Sequence, residues 1–400
     1  MTSQTAGPAT TRRFLAGTAF LGTLMLALAG CAGSVDTGQS EPAPSATASL
    51  RSPAPEGDLP AELQSALQEV VDQTMSEYAV PGSAVGVWIP GEGAWLAATG
   101  LADQEQGTPV SLDMWWPLRS VTKSYTVTLV LQLVDEGLVS LDDTIDQYVD
   151  GVTDGDQITL RELADMSSGN ADYINEDFVA AFEQDPEQLF TLQELNGFML
   201  GKPAQFSPGT RKVYTNANTN LLGAVVEAAT GEAFADVLEE RILRPLGQEH
   251  TEYLTDASAW PEPHAVGYMP GEGALAPQDQ NFSILGAAGA LVSTLDDARA
   301  WAEALATGAL LQPATQAERE QGAPLEVGRP YGLYALGIGE TDGWWGHNGE
   351  GVGFTAAVFH QPETGASIVV FMNESNVEPR AHPADQTFRR LAAVLADQAG

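Results

Sequence analysis

Strand-like segments at the two ends of this chain, separated by a long helical stretch, restrict its fold more than any other feature. Each is a short apolar run next to turn residues, as is typical of a β-strand. The segments are residues 83–88, 94–100, 331–338, 353–360 and 366–373. Turn residues at 90–93 and 362–365 predict hairpins within the first and the last pair. This order is what an α/β domain with an inserted helical domain produces.

Helical periodicity fills the middle of the chain and flanks the strands. It predicts an amphipathic helix over residues 61–78 and a long one from Ser120 to about Gly137, a residue that fits a C-cap. Further helices are predicted at residues 160–166, 191–200, 219–229, 233–242 and 386–397. We therefore expect a mixed α/β (α+β) fold: an antiparallel sheet flanked by helices, with an all-helical insert at about 141–289.

The N-terminal segment has the composition of an export signal. Arg12 and Arg13 precede an uncharged run of residues 14–30, which is marginal in length for a membrane-spanning helix. The run ends in Leu-Ala-Gly-Cys at Cys31, which resembles the bacterial lipobox. We expect a signal peptide over 1–31 and a lipid on Cys31 that holds the protein on the outer face of the cytoplasmic membrane. An uncleaved anchor with an incidental cysteine is the alternative.

Residues 32–58 are rich in Ser, Pro and Ala and are predicted to form a flexible tether, so that the folded domain spans 59–400. The segment 11–15 resembles a twin-arginine motif imperfectly, and the choice between the twin-arginine and Sec routes stays open. Cys31 is the single cysteine, which excludes an intramolecular disulfide.

Composition removes several function classes. Seventeen basic against 54 acidic residues give a net charge of −37, which disfavours nucleic-acid binding. The acidic excess indicates a solvated surface or, alternatively, attraction of cationic substrates. The five histidines are scattered without an H-E-x-x-H pair, so we expect no metal and no cofactor.

The strongest chemical signal is Ser120-Val121-Thr122-Lys123 at the start of the long predicted helix. Residues i and i+3 share a helix face, so the amine of Lys123 can reach the hydroxyl of Ser120. A serine hydroxyl needs such an adjacent base to act as a nucleophile, and free N–H groups at a helix start favour the negative charge that develops. The chain has only three lysines, which makes a chance match less probable. The structural alternative is a serine N-cap beside a solvated lysine.

The stretch of residues 115–124, followed by 130–137, closely resembles the nucleophile helix of the class C β-lactamase and serine DD-carboxypeptidase family. Two further elements of that family follow in order. Tyr214-Thr215-Asn216 matches its Y-x-N element, and His347-Asn348-Gly349 matches its strand triad, with His in place of the β-lactamase Lys.

The resemblance implies a role for each matching residue. Ser120, Lys123, Tyr214 and His347 would be catalytic. The predicted substrate-binding residues are Asn216, Asn348, Gly349 and Glu350. The N–H of Glu350 would join that of Ser120 in an oxyanion hole. The structural alternatives are a core tyrosine and a histidine in a glycine-rich turn. Residues 167–169 resemble another family element, which we interpret as structural.

These residues predict a serine acyl hydrolase that acts through an ester on Ser120. The resemblance points first to peptides that end in D-Ala-D-Ala. More broadly, it implies a small peptide, ester or lactam as the substrate. The departures at His347 and Asn348 keep an esterase or a D-aminopeptidase of the same fold as alternatives. A non-catalytic penicillin-binding or sensor lipoprotein is the alternative from another class.

Overall fold

The computed structural model describes residues 49–326, 331–375 and 382–399. The predictions for the signal peptide, Cys31 and most of the tether lie outside these residues. Within the described part of the chain, no helix has the length and apolar character needed to cross a membrane.

Strands and helices come in runs along the described chain, with α2 to α8 in succession between β4 and β5. The helices α1 to α11 are Ala61–Tyr78, Thr122–Asp135, Leu160–Ala164, Glu176–Gln184, Leu192–Gly197, Asn216–Thr230, Phe234–Leu238, Arg244–Leu246, Leu295–Thr307, Pro313–Arg319 and Pro383–Ala399. The strands β1 to β13 are Gly82–Ile89, Gly93–Asp103, Thr108–Pro109, Trp116–Pro117, Thr251–Tyr253, Gly267–Pro270, Leu275–Gln278, Leu291–Ser293, Leu333–Tyr334, Gly339–Thr341, Trp344–Gly351, Phe354–Gln361 and Ala366–Met372.

Strands from both ends of the chain form one antiparallel sheet, in the order β3-β2-β1-β13-β12-β11-β10-β9. Helices α1 and α11 pack together through an apolar core that includes Leu67, Val71 and Phe388. Helix α9 packs on β12 and β13 with Trp301 fully buried. The apolar residues alternate between these layers because successive strand side chains point to opposite faces.

Several predicted elements are confirmed by the structure. The helix predicted over 61–78 is α1, and the predicted hairpins are β1–β2 and β12–β13. The predicted fold class is also correct, with helices on both sides of an antiparallel sheet. The closing helix α11 begins three residues before its predicted start.

Three predictions are corrected. The strand predicted over 331–338 is reduced to Leu333–Tyr334, because the chain then turns at Gly337, which packs against Val127 of α2. An apolar loop under a helix has the same composition as a buried strand. The insert is not all-helical, because β5, β6 and β7 lie inside it. Helix α9, rich in alanine, was not predicted.

The predicted tether is also corrected over its last ten residues. The amide of Leu50 donates to the carbonyl of Pro245 at 2.8 Å, and Arg51 forms an ion pair with Asp297 at 2.6 Å. Further along, the amide of Ala94 donates to the carbonyl of Gly57 at 2.9 Å. Residues 49–58 therefore belong to the folded domain, since ion pairs and backbone hydrogen bonds outweigh their loop-like composition.

Candidate active site

The nucleophile candidate lies in a short 3-10 turn, Arg119–Val121, that continues directly into α2. Ser120 is 5% exposed, and Lys123 in the first turn of α2 is fully buried. The Nζ atom of Lys123 lies 3.1 Å from the Oγ of Ser120. The i, i+3 spacing that the sequence offered thus brings the two groups together, as predicted.

Two fixed acceptors hold the amine of Lys123. Its Nζ donates to Oδ1 of Asn216 and to the carbonyl of Ala288, both at 2.8 Å. A neutral amine has two hydrogens and one lone pair. The lone pair of a neutral amine at this position, with Nζ 3.1 Å from the Oγ of Ser120, can accept the hydroxyl proton. The geometry therefore allows a neutral Lys123 to take the proton of the serine hydroxyl.

The Y-x-N element brings Tyr214 and Asn216 to the same place. Asn216 opens α6, and the Nζ of Lys123 lies 5.1 Å from the centre of the Tyr214 ring. The structure adds Asp172, which the sequence analysis did not select. Its Oδ2 accepts from the backbone N of Asn216 at 3.0 Å and from its Nδ2 at 3.3 Å. This carboxylate fixes the amide of Asn216 with Oδ1 toward Lys123.

Buried hydrogen bonds position the loop that carries Asp172. The hydroxyl of Ser168 donates to Oδ1 of Asn218 at 2.7 Å, and Nδ2 of Asn170 donates to the same oxygen at 3.2 Å. A methyl group at Gly169, where φ is +77°, would lie 2.1 Å from the carbonyl of Phe206. Residues 167–169 therefore have the structural role that the sequence suggested. Their position just before Asp172 was the signal that could have identified it.

Strand β11 forms the facing wall of the site. Strand β10 pairs with residues 344–346 of β11, and the rest of this edge lies against the 3-10 turn. The approach is close at Gly349, where an added Cβ would lie 2.2 Å from the carbonyl oxygen of Leu118 and 3.0 Å from Cβ of Arg119. Gly349 is thus required for contact with the turn that carries Ser120. Glu350 follows it, partly buried.

His347 is fully buried between two tyrosines. Its Nδ1 lies 3.2 Å from the hydroxyl of Tyr331, and its Nε2 lies 3.2 Å from the hydroxyl of Tyr334. The centre of its ring is 6.4 Å from that of Tyr214. The structure therefore brings His347 to the tyrosine side of the cluster, in contact with the ring that adjoins Lys123. Its catalytic role stays a prediction.

Asn348 shares the hydroxyl of Tyr331 with His347, and its substrate-binding role stays a prediction. Its Oδ1 accepts from the hydroxyl of Tyr331 at 2.8 Å, and its Nδ2 donates to Asp385 of α11 at 3.3 Å. Neighbouring strand residues point to opposite faces, so Gly349 faces the nucleophile turn while Asn348 faces the C-terminal helix. The side chain is fully buried there.

Burial changes the charged groups around the site. It lowers the pKa of Arg119, directly before Ser120, to about 9. Among the described residues, no group of three or more His, Cys, Asp or Glu side chains is placed to hold a metal ion. The cluster supplies a serine hydroxyl, an amine, a phenol, an imidazole and the carboxylate of Asp172.

Comparisons with known proteins agree with this constellation. The family model described as Beta-lactamase matches residues 67–393. A D-aminopeptidase of Brucella anthropi is 30% identical over 320 residues, which cover 77% of this chain and 59% of the relative. The chain therefore spans about three fifths of the length of that relative.

Solved structures have the same fold. The D-amino acid amidase of Ochrobactrum anthropi SV3, solved with L-phenylalanine amide, matches with a TM-score of 0.76 at 25% identity, over 85% of this chain and all of that chain. The octameric penicillin-binding protein homologue of Pyrococcus abyssi matches with a TM-score of 0.70 at 24% identity, over 82% of this chain and 77% of that one.

Proposed function

The chain belongs to the beta-lactamase family of serine hydrolases, and we propose that it hydrolyses amides of D-amino acids that carry a free α-ammonium group. The names of the D-aminopeptidase and D-amino acid amidase relatives support this substrate class. The observation that carries the proposal is the carboxylate of Asp172, bonded to the same Asn216 that holds Lys123.

The proposed reaction begins with attack of the Ser120 hydroxyl on the amide carbonyl as Lys123 takes its proton. The N–H groups of Ser120 and Glu350 stabilise the oxyanion. Tyr214 gives its proton to the departing nitrogen and takes the serine proton from Lys123, so that the C–N bond breaks, the amine leaves and the acyl group stays as an ester on Ser120. Water then attacks this ester as Lys123 takes one of its protons. The C–O bond to Ser120 breaks, Lys123 returns that proton to the serine oxygen, and the D-amino acid is released.

The charges around the site favour an ammonium group over a carboxylate on the substrate. A carboxypeptidase needs a cation to bind the C-terminal carboxylate of its peptide. Among the described residues, Lys212 forms an ion pair with Asp165 at 2.9 Å, and Arg119 donates to Gln280 and to the carbonyl of Val352. The partly exposed Asp172 instead offers negative charge one amide group away from Lys123.

Cleavage of peptides ending in D-Ala-D-Ala, the first expectation from the sequence, is therefore the second candidate. The resemblance of residues 115–124 to the nucleophile helix of serine DD-carboxypeptidases supports it. Short esters are a third substrate class, because an ester needs only the nucleophile and the oxyanion hole.

A substrate panel tests the proposal. We expect hydrolysis of D-phenylalanine amide, at least tenfold slower hydrolysis of the L-enantiomer, and little release of D-alanine from an N-acetylated D-Ala-D-Ala peptide. Ser120→Ala should abolish all three activities. Asp172→Asn should lower kcat for every substrate, because Asn216 loses the carboxylate that orients it. It should in addition raise KM by about tenfold, or about 1.4 kcal/mol, for the free D-amide but not for an N-acetylated D-ester, because only the amide carries the ammonium group.

Other results of the panel would replace the proposal. Release of D-alanine from the blocked peptide, without hydrolysis of the free D-amide, would establish a carboxypeptidase. Turnover of esters alone would establish an esterase. Persistent labelling of Ser120 by a fluorescent penicillin, without turnover of any substrate, would establish a sensor.

We also propose that the protein is exported and held at the outer face of the cytoplasmic membrane by a lipid on Cys31. The support is the sequence of residues 12–31 alone. In a bacterial host fed an alkyne fatty acid, the wild-type chain should become labelled and sediment with membranes. Cys31→Ser should remove both properties. An unlabelled wild-type chain would contradict the proposal.

A further inference from the structure

We propose that Arg119 is a positioning residue that holds the two donors of the oxyanion hole, the N–H groups of Ser120 and Glu350, in register with each other. It does so by tying the turn that carries the nucleophile to the turn that ends β11. The inference rests on the proposed acyl transfer at Ser120 but not on the identity of the amide substrate.

The first observation is the backbone of Arg119. Its φ is +51°, in the left-handed region that side chains other than glycine seldom occupy, and Ser120 comes directly after it. Such a conformation costs about 1–3 kcal/mol and persists only when surrounding contacts enforce it. The direction of the Ser120 N–H depends on this dihedral angle, because the peptide plane between the two residues carries that N–H.

The second observation is the environment of the guanidinium. Its Cζ lies 5.5 Å from the ring centre of Phe282 and 5.4 Å from that of Phe354, so two phenyl rings flank it. Nη2 donates to Oε1 of Gln280 and, at 3.3 Å, to the carbonyl of Val352. Gln280 also donates to this carbonyl, through Nε2 at 3.0 Å.

The third observation is the position of Val352. It lies two residues after Glu350, in the turn between β11 and β12, and its φ of +43° is strained for a β-branched residue. Arg119 and Gln280 therefore fix two unusual backbone conformations at once, one beside each donor. Gly349 completes the contact, because it allows β11 to approach Leu118 and Arg119 without a side chain between them.

The energetics argue for a positional role. Arg119 is 2% exposed, and among the described residues no carboxylate forms an ion pair with it. A buried charge without a counter-ion is costly, so stability alone does not explain an arginine at this position. Precise alignment of oxyanion donors provides a reason to keep it, since a displacement of about 1 Å can lower the rate by about 10²-fold.

The test measures acylation of Ser120 with a reporter ester, p-nitrophenyl acetate, and with the thionoester in which sulfur replaces the carbonyl oxygen. Arg119→Met keeps apolar bulk between the two rings but removes the hydrogen bonds, and Arg161→Met is the matched surface control. We expect Arg119→Met to lower the acylation rate by about 10–100-fold with little change in KM. The ratio of oxygen-ester to thionoester rates should fall toward one, because the ratio reports the fit of the oxyanion hole.

A second variant keeps the test decisive if Arg119→Met does not fold. Gln280→Ala leaves the arginine in place but removes one partner of both Arg119 and Val352, and we expect a three- to tenfold loss of acylation rate with a smaller drop in the ratio.

If Arg119→Met folds and keeps the wild-type acylation rate and ester-to-thionoester ratio, the positioning role is overturned. If Arg119→Met does not fold, the same result in Gln280→Ala overturns it. A wild-type protein that the ester does not acylate would overturn the proposed function together with it. Acylation by the ester without hydrolysis of D-amides would contradict only the substrate proposed above.

Discussion

The first turn of α2 and the remainder of that helix are both buried, but their polar groups are used differently. At the start, Lys123 donates to an amide oxygen and a carbonyl from distant segments and lies beside the hydroxyl of Ser120. On the residue after Lys123, the hydroxyl of Ser124 accepts from Trp301 at 2.9 Å, and about one turn further on the hydroxyl of Thr128 accepts from Arg319 at 2.6 Å. The first set places the amine of Lys123 beside the Ser120 hydroxyl, whereas the second set joins α2 to α9 and α10.

The two buried arginines that contact these regions, Arg119 and Arg319, also differ in their roles. Burial lowers the pKa of both Arg119 and Arg319 to about 9. Arg319 binds Leu336 and Ser124 through their carbonyls and has an ordinary backbone, whereas Arg119 has a positive φ beside the nucleophile. The buried part of α2 thus follows a 3-10 turn with a strained residue, Arg119. Changes at the start should affect catalysis, and changes beyond it should affect stability.

The largest effect is expected from Lys123→Met. Loss of the base should lower the acylation rate of Ser120 by about 10³-fold, while Tm stays the same or rises because a buried amine is replaced by an apolar chain. The measurement is stopped-flow acylation with a reporter ester, together with calorimetry. Lys202→Met, at a surface pair with Asp177, is the control and should match wild type. A less than tenfold loss would contradict the assignment of Lys123 as base.

The second largest effect is expected from Arg319, which contacts the part of α2 beyond its first turn. Arg319→Met should lower the free energy of unfolding by about 3 kcal/mol, because several buried acceptors lose their donor. The acylation rate per folded molecule should change less than threefold. Chemical denaturation and active-site titration measure the two quantities, with Arg161→Met as the surface control. A large loss of rate in the folded variant would show that stability and catalysis are not separated along α2.

A smaller effect is expected from Thr128→Val, which removes one acceptor of Arg319 and should cost about 1–2 kcal/mol of unfolding free energy. Thr307→Val is the matched control. Both hydroxyls donate to the carbonyl four residues earlier at 2.7 Å, but Thr307 is exposed. Equal unfolding free energies for the two variants would mean that the bond to Arg319 contributes nothing.

The smallest expected change in stability is at Glu374, which lies outside α2 and away from the proposed catalytic residues. Burial raises the pKa of Glu374 to about 7, from an ordinary value of 4.5. Between these values the folded state keeps a proton that the unfolded state loses, so the free energy of unfolding falls as pH rises from about 4.5 to about 7.

Glu374→Gln should therefore raise Tm at pH 8 by about 1–2 °C and change it much less at pH 5. Thermal melts at the two pH values check this, with Glu363→Gln in an exposed turn as the control. A rise of equal size at both pH values would contradict ionisation as the cause.

Much of this protein was determined by its sequence alone. Periodicity of two and of 3.6 residues placed α1, the two hairpins and α2, because burial of one face imposes these spacings. The pair Ser120 and Lys123 needed no tertiary information either, since one helical turn brings i and i+3 together.

Only the tertiary structure decided how that pair is held. The carbonyl of Ala288 lies 165 positions from Lys123 in sequence, and a backbone oxygen leaves no mark in the residue pattern. Asp172 is one of many acidic residues until it is seen to bond Asn216. The positive φ of Arg119 likewise depends on segments that meet only in the folded chain. Local spacing fixes which residues can react, but long-range packing fixes the direction in which their hydrogen bonds point.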